Sequence, residues 1–323
     1  MYQDIRAVVE SDFLAVNDFI VEQLYSEVTL VESIGHYIVE AGGKRMRPVL
    51  TLLAARSCGI GSQHHIPMAA VIELIHTATL LHDDVVDMST LRRGRPTVNA
   101  EWNTPSSVLV GDFIYSRAFQ ILVQIGNMRI MEIIADTTNK IAEGEVLQLI
   151  AKNNPESSEA SYMQVIESKT AILFQAAAQC GALLGNAEPN IESALTEFGL
   201  RIGTAFQLVD DILDYAGDAA DLGKNIGDDL AEGKVTLPLI HALDTGTDPE
   251  KDLIREALKT EDIPKQMLQD VIRIVRNNGG LEYTKNQANI HAQAAQKCLA
   301  SLPESQFRHA MKAMVDFSVN RRS

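Results

Sequence analysis

The chain has 323 residues, of which 46% are hydrophobic, 5% aromatic and 22% charged. That composition belongs to a folded globular protein and excludes a disordered one. Lys and Arg number 28 against 43 Asp and Glu, a net charge of −15, which argues against general nucleic-acid binding and leaves any anionic ligand to local cations or metals. Cys58, Cys180 and Cys298 are far apart and form no Cys-x-x-Cys, as expected of buried free thiols in a reducing cytoplasm. The start Met1-Tyr2-Gln3-Asp4 shows no signal-peptide pattern.

Strand signals are nearly absent and helical periodicity runs throughout, so the chain is expected to be all-α: a single domain, a large helical bundle over residues 1–323. Val8, Phe13, Val16, Ile20 and Leu24 make the first apolar stripe. A glycine break at Gly42-Gly43 is followed by Lys44, Arg45 and Arg47, cations suited to phosphate oxygens. After the break at Gly59-Ile60-Gly61 a second stripe, Val71, Leu74, Ile75, Ala78 and Leu81, leads into Asp83-Asp84-Val85-Val86-Asp87. Arg92-Arg93-Gly94 and Pro96 close that segment. Past the turn at Asn153-Asn154-Pro155, Thr170–Gly185 is the longest uncharged stretch; it is short for a membrane span and reads as a buried core helix. No transmembrane segment is expected. A helix after Pro189 then carries Asp210-Asp211-Ile212-Leu213-Asp214. Lys224 and Lys234 flank the further pair Asp228-Asp229, read as loop residues that orient Lys224 or a metal-bound water. Arg321-Arg322 at the tail reads as a solvated end, with folding over the site as the alternative.

The two Asp-Asp-x-x-Asp copies are the chemical signal. On a helix the first and last Asp of each share a face, about 6 Å apart along the axis. Three carboxylates in one turn repel, and at a helix C-terminus the dipole disfavours them further. A solvated acidic face would not be interrupted by Val85-Val86 and Ile212-Leu213. A cation should sit there, and hard oxygen ligands without Cys or His favour Mg²⁺, with Mn²⁺ as the alternative. Arg92 and Arg93 after the first copy suggest a diphosphate held between metal and guanidinium. Metals on a diphosphate beside an apolar cavity suit ionisation of an allylic diphosphate to a carbocation.

The chain resembles the trans-isoprenyl diphosphate synthases, the polyprenyl synthetase family. The matching segments are Gly42-Gly43-Lys44-Arg45-Met46-Arg47-Pro48, Leu81-His82-Asp83-Asp84-Val85-Val86-Asp87, Arg92-Arg93-Gly94, Gly111-Asp112-Phe113, Glu143-Gly144-Glu145, Lys169-Thr170, Phe206-Gln207-Leu208-Val209-Asp210-Asp211-Ile212-Leu213-Asp214, and Gly223-Lys224 through Gly233-Lys234. The resemblance spans nearly the whole chain and implies the isoprenoid synthase type I fold, helices around a central cavity. It implies Mg²⁺ on Asp83, Asp87 and Asp210, with Asp84, Asp211 and Asp214 in support. It assigns the diphosphate of isopentenyl diphosphate to Lys44, Arg47, His76 and Arg93, and the allylic diphosphate to Arg92, Lys169, Lys224 and Lys234. Thr170 and Gln207 would lie near the developing cation. Without the family, His76 would read as a core histidine.

Within the family the likeness is to bacterial long-chain members that make a quinone side chain. The implied reaction condenses isopentenyl diphosphate onto an allylic starter, farnesyl diphosphate, to about C40, an expectation resting on analogy. Small residues at Thr79 and Ala78, four and five before Asp83, leave the tail open, with Leu122, Met131 or Ile134 as a deeper floor. A homodimer in the cytoplasm, with transient membrane contact on product release, completes the expectation. The alternatives are a shorter-chain, geranylgeranyl-type synthase and a non-catalytic subunit of a heteromeric synthase. The latter should have lost a triplet or part of the basic clamp, and this chain has kept both.

Overall fold

Nearly every apolar stripe becomes a helix in the structure, a computed structural model that describes residues 2–59, 63–216 and 226–321. The helices are α1 (Tyr2–Ala7), α2 (Glu10–Gln23), α3 (Thr29–Glu40), α4 (Met46–Ser57), α5 (His65–Val86), α6 (Val98–Glu101), α7 (Thr104–Ile125), α8 (Met128–Ala151) and α9 (Glu159–Ile166). A π-helical turn, Glu167–Ala171, leads directly into α10 (Ile172–Leu184) and then α11 (Pro189–Ala216). After the second triplet come α12 (Asp228–Ala231), α13 (Leu237–Thr245), α14 (Asp248–Lys259), α15 (Lys265–Asn277), α16 (Gly280–Cys298) and α17 (Gln306–Asn320). Among the described residues the strands are two short ones, β1 (Leu91–Arg92) and β2 (Arg95–Pro96), paired antiparallel.

The chain divides into two compact units, one of residues 1–137, 173–199 and 296–314, the other of residues 138–172, 200–295 and 315–323. In the first unit α5 is the central element, packed by α2, α4 and α7. Its N-terminal half is apolar nearly all round, and Met68 through Ile72, Leu74, Ile75, Ala78 and Leu81 are buried. Phe13, Val16, Ile20 and Leu24 of the first stripe are buried too, whereas Val8 yields its place to Val9. Asp12 joins this buried face because Arg56 donates to both its oxygens, at 2.6 and 2.5 Å, and His65 stands 3.5 Å away. Burial alone would raise the Asp12 carboxyl; the Arg56 guanidinium and His65 overcome it and hold the group below the usual carboxylate range.

Among the described residues α7 is the one helix long and apolar enough to cross a membrane. It packs along α5, with Val110, Gly111, Ile114, Ala118, Ile121 and Leu122 buried and Leu109 and Val123 exposed. The uncharged stretch ending at Gly185 likewise forms the buried α10, with Leu173, Phe174 and Ala176–Ala178 enclosed.

The second unit has two apolar clusters. Tyr215, Leu239, Leu243, Ile254, Leu258, Val271 and Val275 fill one. Tyr162, Ile166, Leu208, Val209, Leu237 and Ile240 fill the other, beneath the helix that bears the second triplet.

Candidate active site

In the first unit the acidic triplet ends α5, with Asp87 as its C-cap. Asp84 is buried, and Arg92 meets it through Nε at 2.9 Å and Nη2 at 2.7 Å. Burial pushes the Asp84 carboxyl up, Asp83 and Asp87 add to the effect, and Arg92 opposes it. Arg92 is delivered by the β1–β2 hairpin, whose two-residue turn is Arg93-Gly94 with φ of 53° and 74°. Positive φ at both central residues matches the twist of a tight hairpin, and Gly adopts it freely. Arg93 does so against its steric preference, a strain common at functional positions. Thr97 donates to the Ser89 carbonyl at 2.7 Å and Asn99 to those of Ser89 and Asp84, which pins the hairpin to the helix end.

The glycine break before α4 serves Arg93. A Cβ on Gly43, whose φ is +153°, would stand 2.6 Å from Arg93 Nη1. Arg93 and Arg45 surround Glu73, with Arg45 Nε 3.9 Å from its carboxylate. Burial raises the Glu73 carboxyl, and Arg45, Arg47 and Arg93 pull it back. Arg47 lies over the Phe174 ring at 4.3 Å. His76 is held well below the usual imidazole range by burial and then by Arg47, Arg93 and Arg92, so it is neutral. Three arginines around one carboxylate and a neutral histidine leave this region net positive, as an anion site requires. Lys44 is exposed beside it. Arg45, Glu73 and Arg93 also line a small cleft walled by Leu24, Ile38, Leu74 and Leu80.

Thr79 sits one turn before Asp83 on the same helix face, half-buried, its hydroxyl donating to the His76 carbonyl at 2.8 Å. Ala78 is fully buried. Five residues before Asp83, it is turned by about 140° from that face, so only Thr79 shares the triplet's side. Leu122 and Ile134 are buried and Met131 half-buried.

In the second unit the triplet occupies the last turns of α11. Asp210 is partly exposed, and Arg321 Nη2 lies 2.6 Å from its Oδ1. The same guanidinium donates to the Phe206 carbonyl at 2.7 Å and lies over the Phe206 ring at 3.7 Å. The tail is therefore not a solvated end at Arg321, which is nearly enclosed; Arg322 lies outside the described residues. Asp211 is buried, receives Gln207 Nε2 at 2.8 Å on one oxygen and accepts from the Tyr162 hydroxyl on the other. Burial and the charge of Asp229 push its carboxyl up to about 8. Thr170 donates to Gln207 Oε1 at 3.1 Å.

Lys169 and Thr170 stand on the π turn, where an added residue re-phases the side chains, a device frequent at functional sites. Gly144 lets α8 pass that turn: a Cβ there would be 2.9 Å from the Lys169 amide nitrogen. Glu145, next to it, pairs with Lys169 at 2.7 Å. Asp214 Oδ2 accepts from the Asp229 amide at 3.4 Å. The Asp229 carboxylate is 4.0 Å from Lys234 Nζ, and Glu232 is 2.5 Å from it. Asp228-Asp229 thus open the short α12 rather than a loop, and Glu232 holds Lys234 with Asp229 further off; Lys224 lies outside the described residues.

Glu73, Glu145, Tyr162 and Arg321 were not singled out as site residues from sequence. The Glu-Gly-Glu motif containing Glu145 was the available signal for one of them; no local pattern marked the others. Among the described residues no three carboxylate, imidazole or thiol groups converge to cage a metal unaided. Beside the central Asp, each triplet carries two further carboxylates, Asp83 with Asp87 and Asp210 with Asp214. One or two carboxylates completed by substrate phosphates is how Mg²⁺ is ordinarily held, so this donor set fits it.

The polyprenyl synthetase family profile matches residues 28–275. Octaprenyl diphosphate synthase of Escherichia coli (strain K12) is 47% identical, covering 99% of this chain and 98% of that one. All-trans-nonaprenyl-diphosphate synthase (geranyl-diphosphate specific) of Rhodobacter capsulatus is 48% identical over 99% and 98%. The crystal structure of polyprenyl synthase from Caulobacter crescentus CB15, complexed with calcium and isoprenyl diphosphate, superposes with a TM-score of 0.97 at 39% identity, covering 100% of this chain and 98% of that one. The helical fold is that of the polyprenyl synthases, and the chain is a prenyltransferase. The chain belongs to the polyprenyl synthetase family.

Proposed function

We propose that this prenyltransferase adds isopentenyl diphosphate units repeatedly to an allylic diphosphate, farnesyl diphosphate as starter, giving a product of about C40 for a quinone side chain. The observation that carries the long-chain reading is the near-full-length match to an octaprenyl and a nonaprenyl diphosphate synthase. The half-buried Thr79 beside the first triplet supports it, because no bulky ring narrows that face.

Asp83 and Asp87 would hold Mg²⁺ at one acidic end, and Asp210 with Asp214 at the other. The metal, or Mn²⁺ in its place, supplies charge that stabilises the departing diphosphate. Arg47, Arg93 and Lys44 bind the isopentenyl diphosphate, with neutral His76 donating a hydrogen bond rather than a charge. Arg92, Lys169, Lys224 and Lys234 bind the allylic diphosphate. Arg92 also keeps Asp84 compensated, and Glu145 aims Lys169. Thr170 and Gln207 present oxygens toward the developing allylic cation, which the apolar surroundings shield from water. Attack by the isopentenyl double bond forms the new carbon–carbon bond, and loss of a proton to the released diphosphate completes each round.

The whole chain, residues 1–323, serves as one synthase domain, acting as a homodimer in the cytoplasm and meeting the membrane when product leaves. Free Cys58, Cys180 and Cys298 support a reducing compartment. The exposed apolar residues Leu109, Val123 and Met128 support a partner surface. The test is incorporation of labelled isopentenyl diphosphate into butanol-extractable product in the presence of farnesyl diphosphate and Mg²⁺. No incorporation, or incorporation indifferent to EDTA, defeats the reading.

A further inference from the structure

Tyr162 is almost wholly buried, its ring among Ile166, Leu208, Val209, Leu237 and Ile240. A phenylalanine would fill that apolar cluster as well. A buried hydroxyl is a liability unless it has a partner, and the phenol's partner is Asp211 Oδ2. Asp211 in turn is enclosed with acidic neighbours, Asp229 and Asp210, that act against its charge. Its compensation comes from two neutral donors, the phenol on one oxygen and Gln207 Nε2, 2.8 Å away, on the other. The chain of bonds continues: Gln207 Oε1 accepts from Thr170 Oγ1 at 3.1 Å.

Tyr162 and Thr170 belong to one continuous segment, α9 and the π turn. That segment is tied to α11 at both ends of the same four-residue network. Fixing the phenol fixes the Asp211 carboxylate. The carboxylate then selects the Gln207 amide orientation that offers Nε2 to Asp211 and Oε1 to Thr170. The hydroxyl of Thr170 is thereby directed, and the turn of α11 that carries Asp210 and Asp214 on either side of Asp211 is held in place.

We propose that Tyr162 is a positioning residue for the second acidic triplet, acting through Asp211 and Gln207 on Thr170 and on the metal-holding carboxylates beside it. The inference rests on the proposed Mg²⁺-dependent prenyl transfer for its activity readout but not for its metal-binding one. Groups that orient metal ligands from behind typically change affinity or activity by about 10–100-fold when lost.

The experiment compares wild type, Tyr162→Phe, Thr170→Val and the double variant. Mn²⁺ affinity is read by electron paramagnetic resonance of the free ion with inorganic diphosphate present, and kcat and KM are measured separately. For Tyr162→Phe we expect a native circular-dichroism spectrum, an unchanged KM for isopentenyl diphosphate, a kcat about 10-fold lower or more, and Mn²⁺ binding weakened by about 10-fold. The kcat effect should shrink in the Thr170→Val background, because coupled sites do not add. Unchanged kcat and Mn²⁺ affinity, or effects that simply multiply, would overturn the proposal. Should Tyr162→Phe not fold, 3-fluorotyrosine at position 162 keeps the shape and sharpens the phenol's acidity, and an unchanged Mn²⁺ affinity then overturns it. If wild type binds Mn²⁺ but elongates nothing, the functional reading fails while the metal arm still judges Tyr162.

Discussion

The two acidic helix ends have the same five-residue pattern and solve its electrostatic problem differently. At the first, the buried central carboxylate, Asp84, is met by a full positive charge from Arg92. At the second, Asp211 is met by a phenol and an amide, both neutral, and the cation, Arg321, sits on the outer Asp210 instead. An ionic partner stabilises a buried carboxylate more than neutral donors do. Burial raises both carboxyls: Arg92 opposes it at Asp84, while full enclosure and the charge of Asp229 push Asp211 up to about 8. The same five-residue pattern therefore does not dictate the same local chemistry. Which side chains reach each helix end, Arg92 from the adjoining hairpin or Tyr162 and Arg321 from far along the chain, decides it.

The largest expected effect tests what the two ends share. Asp83→Asn and Asp210→Asn should each lower kcat/KM by about 10³-fold or more if both ends hold metal. Loss at one end only would show that the ends are not functionally parallel.

Next comes their difference. Arg92→Ala leaves Asp84 buried without its cation and should lower Tm by several degrees as well as activity. Asp211→Asn should do the opposite to stability. An acid whose folded pKa is raised above its unfolded value of about 3.9 costs stability once the unfolded state ionises. For Asp211 that cost grows from about pH 4 to about pH 8 in metal-free protein and stays above it. The Asn variant should therefore raise the metal-free Tm at pH 8, little at pH 4, while lowering activity. A lower Tm at pH 8 would contradict the assignment.

A smaller change concerns the cavity side of the first end. Thr79→Tyr, on the face of Asp83, should shorten the product by several isoprene units on reverse-phase thin-layer chromatography. Ala78→Tyr, in a fully buried position, should shorten it less cleanly and lower Tm by overpacking. Equal chain lengths in wild type and Thr79→Tyr would sink the steric account.

The smallest effect is a control far from either triplet. Asp12 has a depressed folded pKa, so its stabilisation is fully present above its unfolded pKa and is lost as pH falls through the folded one. Arg56→Ala should lower Tm at pH 7 more than at pH 3, by differential scanning calorimetry, with little change in specific activity.

The all-helical class, the helix ends under both triplets and the basic break at Gly42-Gly43 were legible because periodicity, capping and charge are local signals. Arg92 was legible for the same reason, standing five residues after Asp87. Arg321 and Tyr162 were not: they lie 111 and 48 positions from Asp210, and their partners are set by packing rather than by spacing. Ala78 shows a subtler limit, since counting back from Asp83 gave proximity along the helix but not the 140° turn that hides it. Asp228-Asp229 read as loop residues orienting Lys224 or a metal-bound water; they open a short helix instead, and Lys224 lies outside the described residues.

The most direct test of the central claim is to size the products of the wild-type protein with farnesyl and excess isopentenyl diphosphate across a Mg²⁺ titration. The account predicts a metal-dependent ladder ending in a dominant species of about C40, abolished by EDTA. Product that stops near C20, or elongation that persists without a divalent ion, would contradict it.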